Sequence, residues 1–72
     1  MGKKVEIVIG SPTDYEKLVA YIVIDGKNMA MINQERGVDN LVIEFYDKPE
    51  IKEVDFDLFI EALYKAKNEL LK

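Results

Sequence analysis

The chain has 72 residues, with neither cysteine nor histidine, and carries a formal net charge of −4 at pH 7. A domain of this size buries about 60% of the surface that its unfolded chain exposes, so its core must be small. The missing residue types exclude disulfides, thiolate and imidazole metal sites, and Ser-His or Cys-His nucleophiles within one chain. Carboxylate chemistry is left open. We expect a non-enzymatic protein that has no catalytic residues, cofactor or bound metal ion.

The negative charge is concentrated in the middle of the chain. Residues 1–34 have no net charge, residues 35–61 carry −6 and residues 62–72 carry +2. Because nucleic-acid binding requires a basic patch, this distribution argues against it. An acidic segment favours a basic protein partner through complementary charge, and ordinary solubility charge is the alternative.

No apolar segment is long enough to span a membrane. The apolar segment near the N-terminus is short and is interrupted by Glu6, which does not fit a secretory signal. We therefore predict a cytoplasmic protein without membrane contact.

Alternating apolar residues predict two strands in the N-terminal third of the chain. The first covers residues 4–9, and breakers and turn formers follow it over residues 10–14. The second covers residues 18–24 and is apolar on both faces. One face has Leu18, Ala20, Ile22 and Ile24, and the other has Val19, Tyr21 and Val23.

Two more strands follow the dipeptide Asp25-Gly26, which favours a two-residue type I′ hairpin turn. A longer loop over residues 25–28 would shift the register and stays open. The third strand is predicted over residues 28–34, with Met29 and Met31 together on one face as core filler. The fourth is predicted over residues 40–46, with Leu41, Ile43 and Phe45 opposite Val42, Glu44 and Tyr46.

The C-terminal segment predicts an amphipathic helix that begins after Asp55, an N-cap residue, with Asp57 in the first turn. Its apolar stripe comprises Phe56, Phe59, Ile60, Leu63, Ala66 and Leu70. We predict a single α+β domain over residues 1–72, in which one helix covers one face of a four-stranded antiparallel meander (ββββα). A short extra strand at 51–54 is left open.

Two features are candidates for protein binding. If the helix covers the face that carries Leu18, the opposite face is left without a cover, and an exposed apolar patch there is unusual for a monomer. The long loop over residues 33–40 has a charged tip, and loops on a rigid sheet often carry recognition. The predicted binding residues are Val19, Tyr21, Val23, Glu35, Arg36, Asp39, Glu44 and Tyr46. Cross-strand pairing that merely stabilises the sheet is the alternative.

A further candidate is the acidic group over residues 50–61. Carboxylates suit hard cations, but the spacing does not match a calcium-binding loop, and Asp55 and Asp57 are explained by the helix start. A structural role is therefore predicted for this group.

The segment INQERGVDNLVIEFYDKP, followed by VDFDLFIEALYKAKNEL, resembles a group of small bacterial proteins. Some of these resemble immunity proteins of polymorphic toxin or contact-dependent inhibition systems. The resemblance covers residues 15–71 and rests on the hairpin, the N-Q-E…D-N loop and the final helix. It implies a cytoplasmic, non-enzymatic protein that neutralises a toxin by direct binding, with the acidic segment 35–61 facing a basic toxin. The alternative is a self-associating structural domain that forms a homodimer.

Overall fold

A computed structural model describes residues 4–48 and 50–72 of the chain. They form one antiparallel sheet and one helix. The elements are β1 (Val5–Gly10), β2 (Val19–Ile24), β3 (Lys27–Asn33), β4 (Val42–Phe45) and α1 (Phe56–Leu70). The strands lie in chain order, β1-β2-β3-β4, so β1 and β4 are the two edges. The predicted ββββα meander is confirmed, and residues 51–54 form no extra strand.

The turn between β2 and β3 has the predicted two-residue geometry. Asp25 and Gly26 have φ values of 52° and 79°, and Ile24 pairs directly with Lys27. Both central positions of a type I′ turn require positive φ, which aspartate and glycine tolerate. The turn is also tied to β1, because the Asp25 amide donates to the Lys4 carbonyl at 2.8 Å and the Lys4 amide donates to Asp25 Oδ1 at 2.9 Å.

We expect Gly26→Ala to lower the free energy of unfolding by about 1–2 kcal/mol, the cost of the left-handed conformation for a residue with a side chain. No atom lies within 4 Å of a Cβ added at Gly26, so no steric term is expected. Urea unfolding measures the loss. Gly26→Asn is the control and should lose less, since asparagine tolerates positive φ. An alanine variant as stable as the wild type would contradict the turn geometry.

The core lies between α1 and the face of the sheet that α1 covers, here called the helix side. Its buried strand residues include Ala20, Ile22, Ile24 and Ile32, and its buried helix residues are Ala62, Ala66 and Leu70. The helix packs mainly on β1 and β2. The two alanines leave room for the helix to lie close to the sheet. The opposite side of the sheet is here called the outer face.

The predicted roles of Leu18 and Val19 are wrong. Leu18, predicted in the core, precedes β2 and is 46% exposed, whereas Val19, predicted without a cover, is completely buried. Val19 lies on the outer face, where it pairs with Gly10. The loop over residues 11–18 returns across this end of the outer face, since the Tyr15 hydroxyl reaches β4. Local alternation does not reveal a cover supplied by a loop.

The two methionines are predicted to share one face of the sheet, but they do not. The register of β2 and β3 shifts between Ile22 and Val23, which leaves Met29 as an extra residue in a β-bulge. Met29 packs against the core, whereas Met31 pairs with Tyr21 on the outer face. The bulge explains the difference, because one extra residue reverses the alternation of side chains.

The helix begins as predicted, and Ala66 and Leu70 of the predicted stripe are buried, but the line that faces the core is rotated relative to the rest of that stripe. The Asp55 carboxylate accepts a hydrogen bond from the Leu58 amide at 3.1 Å, as an N-cap does. The residues that face the core follow each other at steps of four, namely Leu58, Ala62, Ala66 and Leu70. Phe56, predicted in the stripe, is 76% exposed. The helix presents this line of residues because it lies over β1 and β2 rather than over the centre of the sheet.

Candidate protein-binding surfaces

A hydrogen-bond network on the outer face joins β3, β4 and the loop 11–18. Glu44 Oε2 accepts hydrogen bonds from the Tyr15 hydroxyl at 2.7 Å and from Asn33 Nδ2 at 2.5 Å. Asn33 is 7% exposed, and its Oδ1 accepts from the Glu35 amide at 3.2 Å. Glu44 lies on the face predicted to bind a partner, and its carboxylate accepts hydrogen bonds from Tyr15 and Asn33 within the protein.

The Glu35 side chain ties the loop 33–40 to the loop 11–18. Its two carboxylate oxygens accept hydrogen bonds from the Glu16 and Lys17 amides, each at 3.0 Å. The neighbouring Arg36 and Asp39 are exposed on the turn that follows. Of the three loop residues predicted to bind a partner, Glu35 thus has a structural contact.

The hydrogen bond from Tyr15 to the Glu44 carboxylate, together with burial and the charge of Glu44, raises the pKa of Tyr15 to about 12. Because the folded pKa exceeds the ordinary value of 10.0, the stabilisation is complete below pH 10 and is lost as the pH rises toward 12.

We expect the phenolate absorbance of the folded protein to show a late titration step near pH 12, whose amplitude Tyr15→Phe lowers by one tyrosine. Tyr64→Phe, which changes a side chain that is 63% exposed, is the control and should leave that step in place. A step near pH 12 that keeps its full amplitude in Tyr15→Phe would contradict this assignment.

Two tyrosines line a shallow cavity of about 380 Å³ on the outer face. We call this surface the tyrosine face, and its residues are Val8, Tyr21, Val23, Asn28 and Tyr46. It brings together three of the predicted residues, Tyr21, Val23 and Tyr46. Val19 does not belong to it because it is buried. Burial, with smaller contributions from Tyr21 and Glu44, raises the pKa of Tyr46.

Glycine at position 10 allows the Tyr21 ring to lie close to the backbone of the edge strand. A Cβ added to Gly10 would lie 2.8 Å from Cε2 of that ring. An aromatic ring over a glycine in a neighbouring strand covers the backbone that the glycine leaves open. The position of Tyr21 therefore depends on this small residue in β1.

A second surface, which the sequence did not reveal, lies on the helix side between β4 and α1. We call it the β4–α1 groove. It is a cavity of about 250 Å³ lined by Ile32, Leu41, Ile43, Ile60, Leu63, Tyr64 and Lys67. On the same two elements, the Phe45 and Phe59 rings lie 6.4 Å apart between centroids. Ile43, Phe45 and Tyr64 are 40%, 63% and 63% exposed, so this apolar surface is open to solvent.

One sequence signal could have indicated this groove. Phe56, Ile60 and Tyr64 recur at steps of four, outside the line that faces the core, so the helix is apolar over more than one stripe. An amphipathic helix that covers a sheet needs only one apolar face.

Within residues 4–48 and 50–72, no group of three or more acidic side chains is arranged to hold a metal ion. No helix in this part of the chain has the length and apolar character needed to cross a membrane. Comparison with protein-family models, with curated proteins and with solved structures finds no match to this chain.

Proposed function

We propose that this chain is a protein-binding domain that acts by recognition rather than catalysis, and that its tyrosine face binds a basic segment of a partner protein. The observation that carries the proposal is the shallow cavity in which Tyr21 and Tyr46 lie beside Val8 and Val23. Tyrosine supplies a large contact area together with a polar tip and is enriched in the energetically important centres of protein interfaces.

The charge around this cavity suits a basic partner. Glu6 and Glu44 lie on the same face, since Glu6 pairs with Val23 and Glu44 pairs with Met31. Glu6 has a 3.7 Å ion pair with Lys4, but both side chains are largely exposed, so this pair is weak and leaves Glu6 accessible. Arginine or lysine placed over a tyrosine ring gains a cation–π interaction of about 0.5–2 kcal/mol.

Neutralisation of a basic toxin is the specific form of this function that the resemblance to immunity proteins implies. Such a partner would approach a chain whose net charge is −4, and complementary charge speeds association. In this form the protein is cytoplasmic and has no chemistry of its own.

The proposal is tested by a titration of isotope-labelled protein with an arginine-rich peptide, followed through amide chemical shifts. We expect the largest changes at Tyr21, Val23 and Tyr46, and we expect them to shrink as salt is raised, because salt screens exposed charges. A glutamate-rich peptide of equal length is the control. Changes confined to the acidic segment 50–57, with none on the tyrosine face, would overturn the proposal.

The Tyr46→Ala variant tests the tyrosine face directly. We expect peptide affinity to fall about tenfold or more, as when an aromatic anchor is truncated. Tyr64→Ala removes an equally large side chain from the β4–α1 groove and should leave the affinity unchanged for a peptide that carries a single basic segment. Unchanged affinity in a folded Tyr46→Ala protein would contradict this role. For the immunity-protein form, the same pair of variants is measured against a toxin encoded beside the gene.

A further inference from the structure

We propose that the β4–α1 groove is a homodimer interface, in which a second copy of this chain packs its helix over the part of the sheet that α1 leaves open. This interface is distinct from the tyrosine face and lies on the opposite side of the sheet. An experiment can therefore contradict one proposal without contradicting the other.

The first support is the incomplete cover of the helix side. The helix packs on β1 and β2, so the side chains of β4 that point to the helix side remain open. Ile43 pairs with the buried Ile32, and Phe45 pairs with the buried Ala30, yet Ile43 and Phe45 are 40% and 63% exposed. This half of the helix side has apolar residues at core positions without a layer above them.

The second support is a matching surface on α1. Phe56, Ile60 and Tyr64 form a line on the helix that does not face its own core, and Phe56 and Tyr64 are 76% and 63% exposed. Four of the five charged residues of the helix lie on a separate line, namely Asp57, Glu61, Lys65 and Glu69, and the fifth, Lys67, lines the groove. The helix thus keeps an apolar surface in addition to the one that its own sheet uses.

A two-fold pair satisfies both surfaces at once. If two copies face each other through their helix sides, each helix can lie over the open half of the partner's sheet, in one layer between two sheets. The same patch then serves both subunits, as the isologous interface of a two-fold dimer requires. Each chain would bury its Phe56–Tyr64 line and its exposed β4 residues in a single step.

The charges around the groove favour a second copy over the basic partner proposed for the tyrosine face. The residues that line it include Lys67 and no carboxylate, so the groove offers nothing to attract a basic segment. A chain with a net charge of −4 repels its own copies, and self-association is easiest through a patch that is free of acidic residues.

The total surface is also consistent with an uncovered interface. A compact monomer of 8.3 kDa exposes about 4600 Å². This chain exposes 5309 Å². The excess of about 700 Å² shows that this chain leaves more surface open than a compact monomer of its mass.

Sedimentation velocity over concentrations from a few micromolar to about 1 mM tests this inference. We expect the wild-type mass to rise from 8.3 kDa toward twice that value. Tyr64→Glu places a carboxylate in the groove and should weaken the dimer about 100-fold or more, because a charge that is buried loses its hydration even where a cation such as Lys67 lies beside it. Lys65→Gln is the matched control, since it changes the net charge by the same amount on the charged line and should leave the dimer intact.

Three results would overturn the proposal. They are a wild-type protein that stays monomeric at the highest concentration, a Tyr64→Glu variant that dimerises as well as the wild type, and a Lys65→Gln variant that loses the dimer equally. Circular dichroism checks that each variant is folded. If Tyr64→Glu fails to fold, Phe56→Glu at the other end of the same line replaces it, with the same expected loss. Tyr46→Ala should sediment as the wild type does, which separates this interface from the tyrosine face.

Discussion

Ile22→Ala is expected to leave the protein largely unfolded at physiological temperature. The Ile22 side chain is completely buried at the centre of the core, between β1 and β3 and beneath the helix. Truncation of a buried isoleucine to alanine costs about 2–5 kcal/mol. Cores of this size supply about 3–5 kcal/mol in total, so the loss is comparable to the whole stability. Thermal unfolding should show a midpoint lowered by at least about 10 °C, or no cooperative transition.

Ile9→Ala is the matched control for this prediction. The substitution removes the same atoms on the same side of the sheet, but Ile9 lies on the edge strand β1 and is 38% exposed. We expect a loss of about 1 kcal/mol, typical of a substitution that creates no buried cavity. Equal losses at the two positions would show that the core is not centred where the helix meets β2.

The elements of the fold could be predicted because local chemistry determines them. The turn at Asp25-Gly26 follows from the positive φ that both positions require, and Asp55 begins α1 because its carboxylate accepts the Leu58 amide. Alternation then fixes which residues of β2 face the helix, and Ala20, Ile22 and Ile24 are buried as predicted. Each of these features has a signal in residues that are close in the sequence.

The errors at Val19 and Phe56 arise where a distant segment decides the outcome. Val19 is buried because the loop 11–18 returns over it, and a contact between residues 15 and 44 has no local signature. Phe56 is exposed because the helix lies to one side of the sheet, which depends on how α1 fits against β1 and β2. The same displacement of the helix opens the β4–α1 groove. The groove was therefore not predicted, because it is a consequence of the helix position.

The tyrosine face and the β4–α1 groove lie on opposite sides of one thin sheet, so a partner on one does not exclude a partner on the other. A dimer formed through the groove would leave both copies of the tyrosine face exposed. Two linked sites raise the apparent affinity for a partner that carries repeated basic segments, since the second contact becomes intramolecular. The two proposals are therefore compatible.

Glu44→Ala is expected to destabilise the protein although Glu44 lies on an edge strand that is open to solvent. Its Oε2 atom is the acceptor for both Tyr15 and Asn33, and no described buried side-chain nitrogen or oxygen lacks a partner. The substitution would leave Asn33 Nδ2 without an acceptor in a residue that is 7% exposed. An unsatisfied polar group of this kind costs about 1–3 kcal/mol, which urea unfolding would detect.

Glu6→Ala and Glu44→Gln separate this structural role from a role in binding. Glu6 lies on the same outer face, and its only ion pair among the described residues is exposed, so we expect a loss below about 0.5 kcal/mol. Glu44→Gln keeps an oxygen acceptor but removes the charge, so the pKa of Tyr15 should fall back toward its ordinary value. If Glu44→Ala is as stable as Glu6→Ala and the late tyrosine titration is unchanged in Glu44→Gln, the network does not hold the loop 11–18. If Glu44→Gln then bound a basic partner with lower affinity, the loss would reflect a direct contact with Glu44, because the fold would be unaltered.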